Sequence, residues 1–178
     1  MEYYAVSIDK EYTDAPKTIN WFGRIDIESM LNCRYEKLEQ AYALEIKENE
    51  NVYKTDIIIE PIFAVSEMIK YCLTEFEPFM KFTRLYYVQR KEEKVFEYFI
   101  PHLIVQDCIS KNISTNINNL YMGKLILDLN KIEEDKFIFR VMNGRTNYII
   151  AREELIEPLY KRGARGIHIE KVETIRRK

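Results

Sequence analysis

One arrangement occurs twice in this chain and constrains its fold more than any other feature. It is an apolar strand, an amphipathic helix, a turn and a second strand. IFAVSEMIKYCLTEFEPFMKFTRLYYV (62–88) has it first, and YIIAREELIEPLYKRGARGIHIEKV (148–172) has it again. In the first copy Ser66 is a good N-cap, and Met68, Ile69, Cys72, Leu73 and Phe76 fall on one helical stripe. In the second, Glu153 occupies the first-turn place that Glu67 holds in the first, and Leu155 and Leu159 match Ile69 and Leu73. Gly163 is a natural left-handed terminator, and the basic residues of KRGARG favour the negative end of the helix dipole. Pro158 lies inside this helix, where it costs a backbone hydrogen bond and is expected to kink or restart it. Two readings fit the repetition: recurrence of a common packing unit, or an internal duplication. Neither requires catalysis.

Around these units the chain reads mostly as strands. YYAVSI is rich in aromatic and β-branched residues. DIESMLN fits a short helix capped by Asp26, and AYALEIK has a period of two with Tyr42, Leu44 and Ile46 on one face. ENEN then reads as a turn, with VYKTDIIIE returning as the partner of AYALEIK. RLYYVQR and VFEYFI make a β-hairpin across the polar KEEK. KLILDLNKI and KFIFRVM are strand candidates, and NGR marks a tight turn before NYII. The expectation is an α+β protein with a mixed or mainly antiparallel sheet. Two principal helices are expected, at Ser66–Phe76 and Arg152–Arg162. The length of 178 residues suits one domain. The Asn-rich SKNISTNINN is the expected loop, dividing it into sublobes of 1–110 and 120–178.

Chemistry is sparse. The only histidines are His102 and His168. His168 alternates with Ile167 and Ile169 and should face solvent. His102 and Cys108 share a strand face, but six residues of strand span roughly 20 Å, too far for a nucleophile–base pair. Cys72 lies on the apolar helical stripe and reads as core filling. The chain has no phosphate-binding glycine loop, no nucleophile elbow and no HExxH. No catalytic residue, cofactor or metal is therefore expected. Three widely spaced cysteines without a CxxC pair argue against a disulfide framework. The opening MEYYAVSIDK has no basic region followed by an apolar run, and no stretch is long enough to span a membrane. A reducing cytoplasm is the expected setting.

Surface features say more. The net charge of −2 implies no strong pull on nucleic acid or membranes. Charge is nevertheless segregated. Glu36 to Glu60 holds seven acidic and three basic residues, whereas Lys161 to Lys178 holds seven basic and two acidic. Trp21 and Phe22 stand together in an expected loop, either plugging the core or anchoring a partner. The candidate partner-binding set is Trp21 and Phe22 with the acidic Glu45, Glu48 and Asp56.

Three segments carry a resemblance to a known family: YFIPHLIVQDCIS, LILDLNKIEEDKFIFRV and IIAREELIEPLYKRGARGIHIEKV, together covering roughly Tyr98 to Val172. They resemble bacterial immunity proteins of polymorphic toxins, of the contact-dependent or secreted-toxin type. The resemblance implies an α+β cytoplasmic protein without catalysis of its own that neutralises a cognate toxin by binding it. It assigns no toxin-contacting residues. The other classes kept open are a small enzyme gathering His102, Cys108 and carboxylates, and a nucleic-acid-binding module using the basic C-terminal stretch.

Overall fold

A computed structural model describes residues 1–48, 52–110, 125–144 and 146–176. Among these it holds eleven strands and three α-helices, an α+β architecture as expected. The Asn-rich stretch proposed as a loop between sublobes lies, from residue 111 onward, outside the described residues.

A four-stranded antiparallel sheet has the order β10 (Ile167–Lys171), β1 (Tyr3–Ile8), β9 (Thr146–Arg152), β8 (Ile138–Asn143). A five-stranded mixed sheet has the order β2 (Ala41–Glu45), β5 (Phe82–Gln89), β6 (Lys94–Pro101), β4 (Ala64–Val65), β3 (Ile57–Ile58). A small parallel pair joins β11 (Glu173–Ile175) to β7 (Ile126–Asp128). β1 comes from the first residues of the chain yet sits inside the sheet otherwise built from 138–171. The division of the strands between sheets therefore does not follow the division of the sequence at the Asn-rich stretch.

Both repeated units are present, and each has a strand inserted in it. The first is β4, α2 (Glu67–Phe76) and β5, with β6 antiparallel to both strands and lying between them. The second is β9, α3 (Glu153–Lys161) and β10, with β1 in the same role. Each is thus a split β-α-β unit, its outer strands parallel to each other across an antiparallel one. The caps act as the sequence suggests. The Ser66 hydroxyl accepts from the Ile69 amide at 3.5 Å, and the Asp26 carboxylate accepts from the Ser29 amide at 2.9 Å at the start of α1 (Ile27–Leu31). Gly163 takes φ 75° one residue past the C-cap of α3.

Two expectations need correction. Of the two outcomes expected at Pro158, the restart does not occur: α3 runs through it as one helix. The amide that proline lacks would have reached the carbonyl of Glu154, an exposed residue, so its loss is tolerated. VYKTDIIIE is also not the partner of β2. β2 pairs in parallel with β5, Tyr42 opposite Leu85 and Leu44 opposite Tyr87, while Ile57 and Ile58 pair with Val65 and Ala64. The alternation in β2 predicts a buried face but not the strand beside it.

The two helices pack against each other and serve both sheets. Ile69, Cys72 and Leu73 of α2 join Leu155, Ile156 and Leu159 of α3 in one core. Val65 and Phe99 enter it from one sheet, and Ile149, Ala151 and Ile167 from the other. Each of the Val, Leu, Ile and Phe side chains among them contributes about 1.5–3 kcal/mol when removed from water. Arg162, at the end of α3, closes the helix pair by binding Glu75 of α2 at 2.6 Å. The far face of the five-stranded sheet carries Leu44, Leu85, Tyr87 and Tyr98 under Met30 of α1. The far face of the four-stranded sheet carries Phe139, Val141 and Ile150 under Leu127, Val172 and Cys108.

Candidate functional site

The residues proposed from sequence fall in two places. Beyond the end of β2, Thr18 bridges Ile46, the Ile19 amide donates to the Glu45 carbonyl at 2.8 Å, and the Lys47 amide donates to the Lys17 carbonyl at 2.8 Å. This strip fixes the start of the loop carrying Trp21 and Phe22. Asn20 adopts φ 51°, and the Arg24 amide donates back to the Trp21 carbonyl at 3.0 Å, which closes a turn. Trp21 and Phe22 meet edge to face at 6.1 Å. Phe22 is 88% exposed and Trp21 37%. The Phe22 ring therefore does not plug the core.

Of the acidic residues, Glu45 and Glu48 lie on this strip. Glu45 pairs with Arg90 at 3.3 Å, and Glu48 accepts from the Lys91 amide at 3.1 Å. Asp56 stands apart as a structural carboxylate. One oxygen accepts from the Ser66 hydroxyl at 2.6 Å and the other from the Arg165 amide at 2.7 Å. It thereby ties the cap of α2 to the turn between α3 and β10.

A second feature was not anticipated from sequence. A cleft of about 690 Å³ opens between the segment after α1, the segment after α2 and the segment after β6. On one wall the Tyr35 ring stacks on the His102 imidazole, with centroids 4.2 Å apart and planes 6° from parallel. The Tyr35 hydroxyl donates to the Leu103 carbonyl at 2.6 Å, and the Cys33 thiol donates to the same oxygen at 3.4 Å. Burial raises the Tyr35 hydroxyl to about 12. His102 Nε2 lies 2.9 Å from the Thr83 hydroxyl. Burial, with Lys81 and Arg140 nearby, lowers the His102 pKa and favours the neutral ring. Glu77 holds the opposite wall by accepting from the amides of Phe137 and Ile138 at 2.8 and 3.2 Å. Phe79, at the cleft, is 96% exposed.

Arg140 of β8 has no exposed surface. Its Nη1 donates to the Met30 carbonyl at 2.7 Å. Its Nε and Nη2 are buried and have no hydrogen-bond partner among the described residues. One signal for it was visible in sequence: a single charge inside the otherwise apolar FIFRVM.

His102 and Cys108 belong to different surroundings, the cleft for the first and the core under the four-stranded sheet for the second. Cys72 and Cys108 are buried, and burial pushes the Cys108 thiol up to about 11. His168 is exposed, as its alternation with isoleucine predicts. Among the described residues no three His, Cys, Asp or Glu side chains converge as metal ligands would, and no helix is long and apolar enough to cross a membrane. Compared with known proteins, the chain matches no family model and no curated protein.

Proposed function

We propose that this chain is a non-catalytic cytoplasmic binding protein, an immunity protein that neutralises a cognate bacterial toxin by direct contact. One observation carries the reading. A closed, backbone-bonded turn holds Phe22 almost wholly in water, with Ile19 and Trp21 partly exposed beside it. Scattered single apolar residues are ordinary on a surface, but three within four residues on an ordered turn form a patch suited to a partner. Aromatic rings of this kind are the usual energetic anchors of interfaces. The resemblance of the C-terminal half to immunity proteins supports the same reading.

Glu45 and Glu48 add negative charge near the turn and suit a basic toxin surface. Both already have internal partners, so their contribution is to the rate of association more than to the bound state. The test is co-expression with the toxin encoded by the neighbouring gene, with growth and binding measured for wild type, Phe22→Ala, Trp21→Ala, and Glu45→Lys combined with Glu48→Lys. Phe22→Ala should weaken binding by about 2 kcal/mol, roughly thirtyfold, through faster dissociation. The charge-reversed variant should associate more slowly, and the difference should shrink in salt. A wild type that neither rescues growth nor binds would falsify the immunity reading. Binding left unchanged in every variant would move the interface elsewhere.

A further inference from the structure

Among the described residues the most exposed large apolar side chain is Phe79, at 96%, and it stands at the cleft and not on the Trp21–Phe22 turn. It is held there by its backbone. The Met80 amide donates to the Glu77 carbonyl at 3.0 Å, so residues 77–80 close a tight turn with Pro78 and Phe79 at its tip. Pro78 has its φ fixed by its own ring. The base of the turn is tied twice. The Glu77 amide donates to the Leu73 carbonyl at 2.8 Å, and the Glu77 carboxylate accepts from the Phe137 and Ile138 amides at 2.8 and 3.2 Å. A ring presented on a turn already ordered in this way loses little further freedom when it docks.

Beside this knob lies a recess that suits it. Phe76, Met80, Leu103, Ile104 and Ile138 give the cleft a largely apolar lining, and its volume of about 690 Å³ admits a phenyl ring. A surface carrying a projecting ring next to an apolar recess is self-complementary, as a two-fold interface between identical chains requires. The charges agree with this. Glu36 and Lys81 both line the cleft and are exposed, and neither has an ion-pair partner among the described residues. From these observations we propose that the cleft is a docking surface for a second copy of this chain. Each Phe79 enters the other copy's cleft, and Lys81 of each copy faces Glu36 of the other. The two rings bury about 150–250 Å² each. That is below the roughly 1,200 Å² at which stable interfaces begin, so the dimer forms in the micromolar range, with the paired rim charges setting its register. The surface shares no residue with the Trp21–Phe22 turn, so self-association and toxin binding can fail independently.

The experiment is sedimentation equilibrium of the whole chain from micromolar to sub-millimolar concentration. The wild type should rise from the mass of one chain to that of two. Phe79→Ala should raise the dissociation constant about thirtyfold or more. Its thermal unfolding should match that of the wild type, because the ring stands in water in the single chain. Glu36→Lys alone and Lys81→Glu alone should each weaken the dimer. An equimolar mixture of these two variants should restore it, because only the mixed pair sets opposite charges together at both contacts. Phe22→Ala should dimerise as the wild type does, and a loss there instead would place the contact on the Trp21–Phe22 turn and overturn the proposal. It is also overturned by a wild type that stays monomeric throughout, by Phe79→Ala dimerising as tightly as wild type, or by a mixture no tighter than its components. A different polypeptide is the other occupant the cleft could take. A monomeric wild type whose Leu103 and Ile104 amides shift saturably in NMR with a blocked phenylalanyl tripeptide would replace the second copy with such a partner.

Discussion

The Asp56 carboxylate accepts a hydrogen bond from the Ser66 hydroxyl at 2.6 Å, and the same hydroxyl caps α2 by accepting from the Ile69 amide. Asp56 therefore acts on the helix through its cap, and its second oxygen reaches across the fold to the Arg165 amide. Ser66 is buried, so removing its acceptor leaves a polar group in a dry place. Asp56→Ala should lower stability by about 3 kcal/mol, measured by urea denaturation. In a double-mutant cycle with Ser66→Ala the two changes should be non-additive by about 1 kcal/mol or more. Additive losses would mean that the pair does not work as a unit.

The turn that receives Asp56 also contains Gly166, which adopts φ 75°. A Cβ added there would lie 2.6 Å from Cγ2 and 2.8 Å from Cβ of Thr55. Thr55 is itself fully buried, and its hydroxyl is tied to the Ile57 carbonyl at 2.8 Å, so it has little room to yield. Gly166→Ala combines left-handed strain with a clash and should cost about 2–4 kcal/mol. Gly163→Ala has similar φ but meets nothing within 4 Å, so it should cost only about 1 kcal/mol, from backbone strain. Thermal unfolding of the two variants side by side separates the contributions. Equal losses would remove the role given to Thr55.

Alkaline pH should unfold the protein through its buried tyrosines. Burial raises the Tyr35 hydroxyl from 10.0 to about 12, and burial likewise pushes Tyr87 and Tyr98 upward. The folded state thus holds these protons more tightly than the unfolded chain does. The stabilisation is fully present below pH 10 and is lost as pH rises toward 12 and beyond. Denaturation curves between pH 9 and about 12 should show falling stability, with phenolate absorbance rising in step with unfolding. Tyr35→Phe should flatten part of that slope.

Thiol labelling should sort the three cysteines. Cys33 is half-buried at the cleft, whereas Cys72 and Cys108 are buried and desolvation raises both thiols, Cys108 to about 11. Cys33 should react first with a neutral thiol reagent at pH 8. Cys72 and Cys108 should react only as the protein opens, at rates that rise with denaturant. Prompt labelling of Cys108 in native conditions would contradict its placement under the four-stranded sheet.

What the sequence determined by itself was local. Ser66 and Asp26 as caps, the apolar stripes of α2 and α3, and the KEEK turn each depend on residues within about one helical turn or one hairpin. Nothing distant has to be known to read them. The exposure of Phe22 was one of two outcomes open from sequence, and only the bonded turn around it decided between them. The same holds for what lies beside each strand. Alternation in β2 names a buried face, yet insertion of β1 between β9 and β10, and the parallel pairing of β2 with β5, depend on which distant faces bury each other best. Tertiary structure likewise turned Asp56 from a member of an acidic stretch into the tie between a cap and a turn. It also drew Cys33 and Tyr35, from the segment after α1, and His102, from the segment after β6, into one wall of a cleft. These are relations between residues far apart in the chain, and burial sets them, not local pattern.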